Sequence, residues 1–110
     1  LAGTHAAVTR CSRIVEKETA ADAVDPALLT DASELALAEA IATLAPRIAA
    51  ESDPVVALRE SAALAPAVDA LFDGVMVLAE DPAVRANRVR LLRDALAAFQ
   101  PIGDLTKLQR

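Results

Sequence analysis

Tryptophan and tyrosine are absent from this 110-residue chain, phenylalanine occurs twice and glycine three times. A chain so poor in large β-favouring aromatics and in turn glycines is read as helical rather than as a sheet protein. One cysteine, Cys11, excludes an internal disulfide and fits a reducing compartment. One histidine, His5, has no Cys, His or acidic companions at ligand spacing, so no metal centre is expected. No Ser–His–Asp set is evident, and no glycine-rich phosphate loop, CxxC or HExxH is present. No apolar run nears the roughly 18 residues that a membrane span needs, and there is no secretory signal. There are no internal repeats and no long linkers, so residues 1–110 are read as one domain. The chain starts at Leu1 rather than Met, which suggests a fragment cut from a larger protein or a processed chain.

What the chain has instead is alanine, about a quarter of all residues, within a composition that is 55% hydrophobic. Alanine is the best helix former, and its small side chain lets helices pack closely. The expectation is an all-α bundle of about five helices with modest stability. The net charge is −5 and the isoelectric point about 4.7. That balance argues against a general nucleic-acid binder, though a local basic patch is compatible with it.

In chain order, Thr4 caps a first helix over 4–20, with Ala7, Val8, Cys11, Ile14 and Val15 on one face. Cys11 is read as a small core residue. Arg10, Arg13 and Lys17 form a basic stripe at i, i+3, i+7 on a different face. Residues 22–30 form a connector with one helical turn after Asp25-Pro26, and Leu28 and Leu29 point to the core. Asp31-Ala32-Ser33-Glu34 has the form of a capping box. The helix it opens carries Leu37, Ile41, Leu44 and Ile48 inward, and Pro46 is expected to kink or break it. Asp53-Pro54 starts a further helix to about Ala65, and Pro66 opens or kinks the next.

The stretch 68–92 organises the rest. It reads as a helix carrying Val68, Leu71, Phe72, Val75, Met76 and Ala79 on one face, a turn at Glu80-Asp81-Pro82, and a second helix folded back. Asp81 can cap that second helix and Pro82 fits its first position. Gly74, read as lying mid-helix, points to close packing there. At about 100° per residue, Val84, Leu91, Leu92, Ala95 and Phe99 share the inner face, with Arg88 near its middle and Arg85 at its edge. A cation facing a core needs a partner. Asp69 and Asp73 are the natural candidates, giving a structural network of Asp69, Asp73, Arg85 and Arg88; phosphate binding by the two arginines stays open as an alternative. Arg90 and Arg93 face solvent. The carboxylates Asp69, Asp73 and Glu80 are read as a polar face or arginine partners, not as a metal site. The inventory describes a helical binding or interaction module without a catalytic centre.

Val68-Asp69-Ala70-Leu71-Phe72-Asp73, Val75-Met76-Val77, Val84-Arg85, Asn87-Arg88-Val89, Leu91-Leu92, Phe99 and the closing Gly103–Gln109 together resemble the C-terminal end of the β subunit of bacterial-type glycyl-tRNA synthetases. Asp81-Pro82-Ala83-Val84-Arg85 is similar to the DALR signature of that class of anticodon-binding domain, and Thr9–Ile14 matches its first helix more loosely. The chain departs from the family pattern at Leu71, Val89, Cys11 and Arg13, and in the trailing Arg110. The resemblance implies an all-α DALR-type domain, with no catalytic residue or cofactor of its own, that binds the anticodon arm of glycine tRNA. It implies a cytoplasmic parent enzyme, an ATP- and Mg-dependent glycine–tRNA ligase, whose α subunit or fused catalytic region is the domain's protein partner. On this reading Arg10, Arg13, Lys17, Arg90 and Arg93 contact RNA. The competing reading is a helical protein–protein module with no RNA contact.

Overall fold

The computed structural model describes residues 2–99, with side chains from residue 5 onward. Five α-helices follow one another: α1 (Ala2–Lys17), α2 (Ala32–Ala50), α3 (Pro54–Ala62), α4 (Ala65–Gly74) and α5 (Pro82–Phe99). A 3-10 turn, Pro26–Leu28, lies between α1 and α2. The expected all-α bundle is therefore present, with no strand among the described residues.

Three of the helix starts are set by aspartates, each accepting backbone N–H bonds that the first helical turn leaves unpaired. Asp31 opens α2 in a capping box: its side chain accepts from Ser33 N–H at 2.9 Å, and Glu34 Oε1 accepts from Asp31 N–H at 3.0 Å. The Ser33 hydroxyl also donates to Asp31, and these bonds from Ser33 hold the Asp31 carboxyl below the usual carboxylate range. Asp53 caps α3 through Val55 N–H, and Asp81 caps α5 through Ala83 N–H, each at 2.9 Å, with Pro54 and Pro82 at the first helical positions. Pro66 opens α4 rather than kinking α3.

The structure corrects several expected boundaries. α1 is already running at Ala2, so Thr4 does not cap it, and it ends at Lys17. α2 passes through Pro46 without breaking. α4 stops at Gly74, and residues 75–81 form a loop, so Val75, Met76 and Ala79 are not on a helical face. Gly74 is accordingly a helix-end residue rather than a mid-helix one. The close packing expected there is real: a Cβ at Gly74 would lie 2.8 Å from Ser33 Oγ and 3.2 Å from Ser33 Cβ. The α4 end is thus seated on the α2 capping box.

The main core joins four helices. Ala7 and Cys11 of α1, Leu37 of α2, Ala65, Val68 and Leu71 of α4, and Leu91, Leu92, Ala95 and Phe99 of α5 are buried together. Leu29 packs against this core, and Leu28 is half-buried. Ile48 and Ala57 make a smaller cluster between α2 and α3. Burial pushes the Cys11 thiol up from 9.0 to about 12, which keeps it protonated and unreactive in the folded state. The closing Gly103–Gln109 stretch of the family match lies outside the described residues.

Candidate nucleic-acid interface

Each arginine of α5 has a different environment, set by its angular position on the helix. Arg88 faces inward, with its side chain 13% exposed, and its Nε donates to Glu34 Oε2 at 3.0 Å. Its Nη1 donates to the Met76 carbonyl at 2.8 Å. Glu34 is fully buried and divides its oxygens, Oε1 to the α2 cap and Oε2 to Arg88. Arg85 pairs with Glu18, Nη2 to Oε1 at 2.6 Å and Nε to Oε1 at 2.8 Å. The structure therefore overturns the expected partners: neither Asp69 nor Asp73 pairs with Arg85 or Arg88. Those carboxylates sit on α4, whereas Arg88 is directed at the start of α2 and Arg85 at the end of α1. Asp73 is exposed, and Asp69 meets Arg10 instead.

Asn87, beside Arg88, is also structural. It is 1% exposed; its Oδ1 accepts from Asp25 N–H at 2.6 Å and its Nδ2 donates to the Asp25 carbonyl at 3.3 Å. The side chain of Asn87 thus clamps the 18–31 connector to α5, and the Ala21 N–H to Ala86 carbonyl bond, 3.1 Å, fastens it a second time. Arg90 joins this clamp. Its Nε donates to Asp94 Oδ1 at 2.8 Å and its Nη1 reaches the Ala21 carbonyl at 3.4 Å, leaving its side chain 25% exposed. The expectation of a solvent-facing Arg90 is corrected accordingly. Arg93 is exposed and makes no ion pair among the described residues.

On α1 the expected stripe is in place. Arg10, Arg13 and Lys17 are exposed and fall within an arc of about 60° on an ideal helix. Arg13 and Lys17 make no ion pair among the described residues, so their charge is available to a partner. Arg10 borders α4. Its Nη1 meets Asp69 Oδ1 at 3.4 Å, and its guanidinium carbon lies 3.9 Å from the centroid of the Phe72 ring. Sequence reasoning missed four residues here: Glu34, Glu18, Asn87 and Phe72. The inward angle of Arg88 showed that an acidic partner was required, and Glu34 was visible as a capping residue, but only the packing of α2 on α5 brings the two together.

Among the described residues no group of three or more His, Cys, Asp or Glu could hold a metal, and no helix is long and apolar enough to cross a membrane. A helical bundle with a cationic ridge has the equipment of a recognition module. The chain belongs to the DALR anticodon binding domain family, whose model matches residues 4–105. It is 44% identical over 108 residues to the glycine–tRNA ligase beta subunit of Anaeromyxobacter sp. (strain K), and equally so to that of Anaeromyxobacter dehalogenans (strain 2CP-1 / ATCC BAA-258). Each alignment covers 94% of this chain and 15% of the relative, so the chain spans about a seventh of the length of these relatives. No solved structure matches it.

Proposed function

We propose that this chain, residues 1–110 as one domain, binds the anticodon arm of glycine tRNA on behalf of a cytoplasmic glycine–tRNA ligase. The observation that carries this reading is the 44% identity to glycine–tRNA ligase beta subunits over nearly the whole chain. Catalysis, with ATP and Mg, belongs to a region outside these residues, in an α subunit or a fused catalytic segment. Arg10, Arg13 and Lys17 of α1, with Arg93 of α5, make the RNA contacts. Arg88, Asn87 and Arg90 hold the fold, and Arg85 is tied to Glu18.

Net charge −5 makes general attraction to RNA weak, so affinity must come from this ridge and must be salt-dependent. With three or four phosphate contacts, the slope of log K against log salt is roughly −2 to −3. Titration of a labelled anticodon hairpin of glycine tRNA at several salt concentrations tests this. Binding that weakens along that slope, and that the double change Arg13→Glu and Lys17→Glu abolishes, is expected. Binding indifferent to both salt and that change would refute the assignment.

The exposure of Met76 (71%) and Leu78 (37%) on the 75–81 loop favours one second reading, docking on the rest of the ligase. A chain that ignores the hairpin but binds the remainder of the β subunit would select it.

A further inference from the structure

Arg10 is the one cation of the α1 ridge that contacts both an aromatic ring and a carboxylate among the described residues. Its guanidinium carbon lies over the Phe72 ring, 3.9 Å from the centroid, and its Nη1 donates to Asp69 Oδ1 at 3.4 Å. Despite both contacts the Arg10 side chain stays 45% exposed and that of Asp69 48% exposed. An arginine plane covered on one side by an aromatic ring leaves its other side as a stacking surface, and guanidinium planes stack on nucleobases much as aromatic rings do. This matters in a chain with no tryptophan or tyrosine. It has few other flat side chains to offer an unpaired base.

We propose that Arg10, backed by Phe72 and flanked by Asp69, is a nucleobase platform, on which one unpaired base stacks and presents an amine to the Asp69 carboxylate. The proposal deepens the anticodon-binding reading and rests on it. Arg13 and Lys17 continue the same ridge along α1 and hold the flanking phosphates, so the base is brought down at the α4 border. Asp69 sets the preference. An ionised carboxylate only accepts hydrogen bonds, so it suits the exocyclic amine of cytosine or adenine, or the N1–H and N2 amine edge of guanine. Uracil offers a single N–H between two carbonyl acceptors and is disfavoured, because its carbonyls face the carboxylate.

The division of labour among the three residues is testable. Arg10→Lys keeps the charge that attracts phosphate and removes the plane. Asp69→Asn keeps the size and adds a donor. Because both side chains are about half exposed, neither change threatens the core.

The experiment uses the 110-residue chain and the anticodon hairpin of glycine tRNA, with 2-aminopurine placed in turn at each loop position. Stacking on a guanidinium plane changes the fluorescence of that base. Anisotropy of an end-labelled hairpin reports affinity separately. At one loop position binding is expected to perturb the 2-aminopurine signal. Arg10→Lys should abolish that perturbation and weaken binding roughly tenfold, within the range of one base–side-chain stack, while leaving the salt slope unchanged. In hairpins with uracil at that position the wild-type chain should bind several-fold more weakly, and Asp69→Asn should narrow the gap. A wild-type chain that binds with the expected salt slope, but whose affinity Arg10→Lys changes less than twofold with no loop position perturbed, overturns the platform and leaves anticodon binding standing. A chain that does not bind the hairpin at all overturns both.

Discussion

Replacing Arg88 by methionine is the sharpest perturbation available, because it strands a buried charge. Arg88 supplies the partner of the fully buried Glu34 at 3.0 Å and ties down the Met76 carbonyl at 2.8 Å. Breaking a buried pair by removing one member costs about 3–5 kcal/mol, because the other charge is left without compensation. Set against a total stability of about 5–15 kcal/mol, that is a large fraction. For a domain near this size it corresponds to a drop of about 15–30 °C in Tm. Glu34→Gln keeps a carbonyl oxygen for the Asp31 N–H but turns its amide donors toward the Arg88 guanidinium, so it is also destabilising. The double variant, Arg88→Met with Glu34→Gln, leaves no charge at the site. Its cost should fall short of the sum of the single costs by at least about 2 kcal/mol. Denaturant unfolding followed by circular dichroism measures all three. Single costs within about 0.5 kcal/mol, the usual surface range, or strict additivity would refute the claim that this pair holds α5 to α2.

Three further outcomes follow from the same contacts. Gly74→Ala should destabilise by about 1–3 kcal/mol through its clash with Ser33, and the penalty should shrink in a Ser33→Ala background; equal penalties in both backgrounds would show that the clash is relieved elsewhere. Cys11 favours its neutral thiol in the folded state, so its contribution is complete below about pH 9 and is lost as pH rises toward 12. At most it amounts to about 4 kcal/mol, and Cys11→Ala should flatten the alkaline fall in stability; a fall unchanged by that substitution would place its cause elsewhere. Asn87→Ala should cost about 1–3 kcal/mol and speed amide exchange at Asp25, whose N–H loses its buried acceptor; unchanged exchange there would show the clamp to be idle.

The helices were legible because their signals are local. Asp31, Asp53 and Asp81 each stand where a side-chain acceptor meets the first turn, and prolines follow at the first positions of α3 and α5. The inward face of α5 was legible too, down to the burial of Arg88. The partners were not. Helical angle says that Arg88 needs an acid, but Glu34 lies 54 positions away and is chosen by how α2 crosses α5. Asp69 and Asp73 lie near Arg85 and Arg88 in sequence, across a hairpin, but the packing directs those arginines to Glu18 and Glu34 instead. The hairpin itself is looser than its pattern suggested, since α4 ends at Gly74 and the apolar residues after it run in a loop. Met76 accordingly offers its backbone to Arg88 and its side chain to solvent. For the candidate site, the α1 stripe followed from spacing alone. The Phe72 backing of Arg10 required the packing of α4 on α1, which no spacing encodes.

On the proposed reading the family motif at Asn87-Arg88 and the RNA contacts are separate: Asn87 and Arg88 build the domain, and Arg10, Arg13, Lys17 and Arg93 meet the tRNA. Amide chemical-shift mapping of the labelled chain, titrated with the anticodon hairpin of glycine tRNA, tests that separation most directly. Shifts are expected on residues 10–17, at Arg93 and on the α4 border at Asp69 and Phe72, with Asn87 and Arg88 undisturbed. Shifts centred on residues 85–88, with the α1 ridge silent, would contradict it.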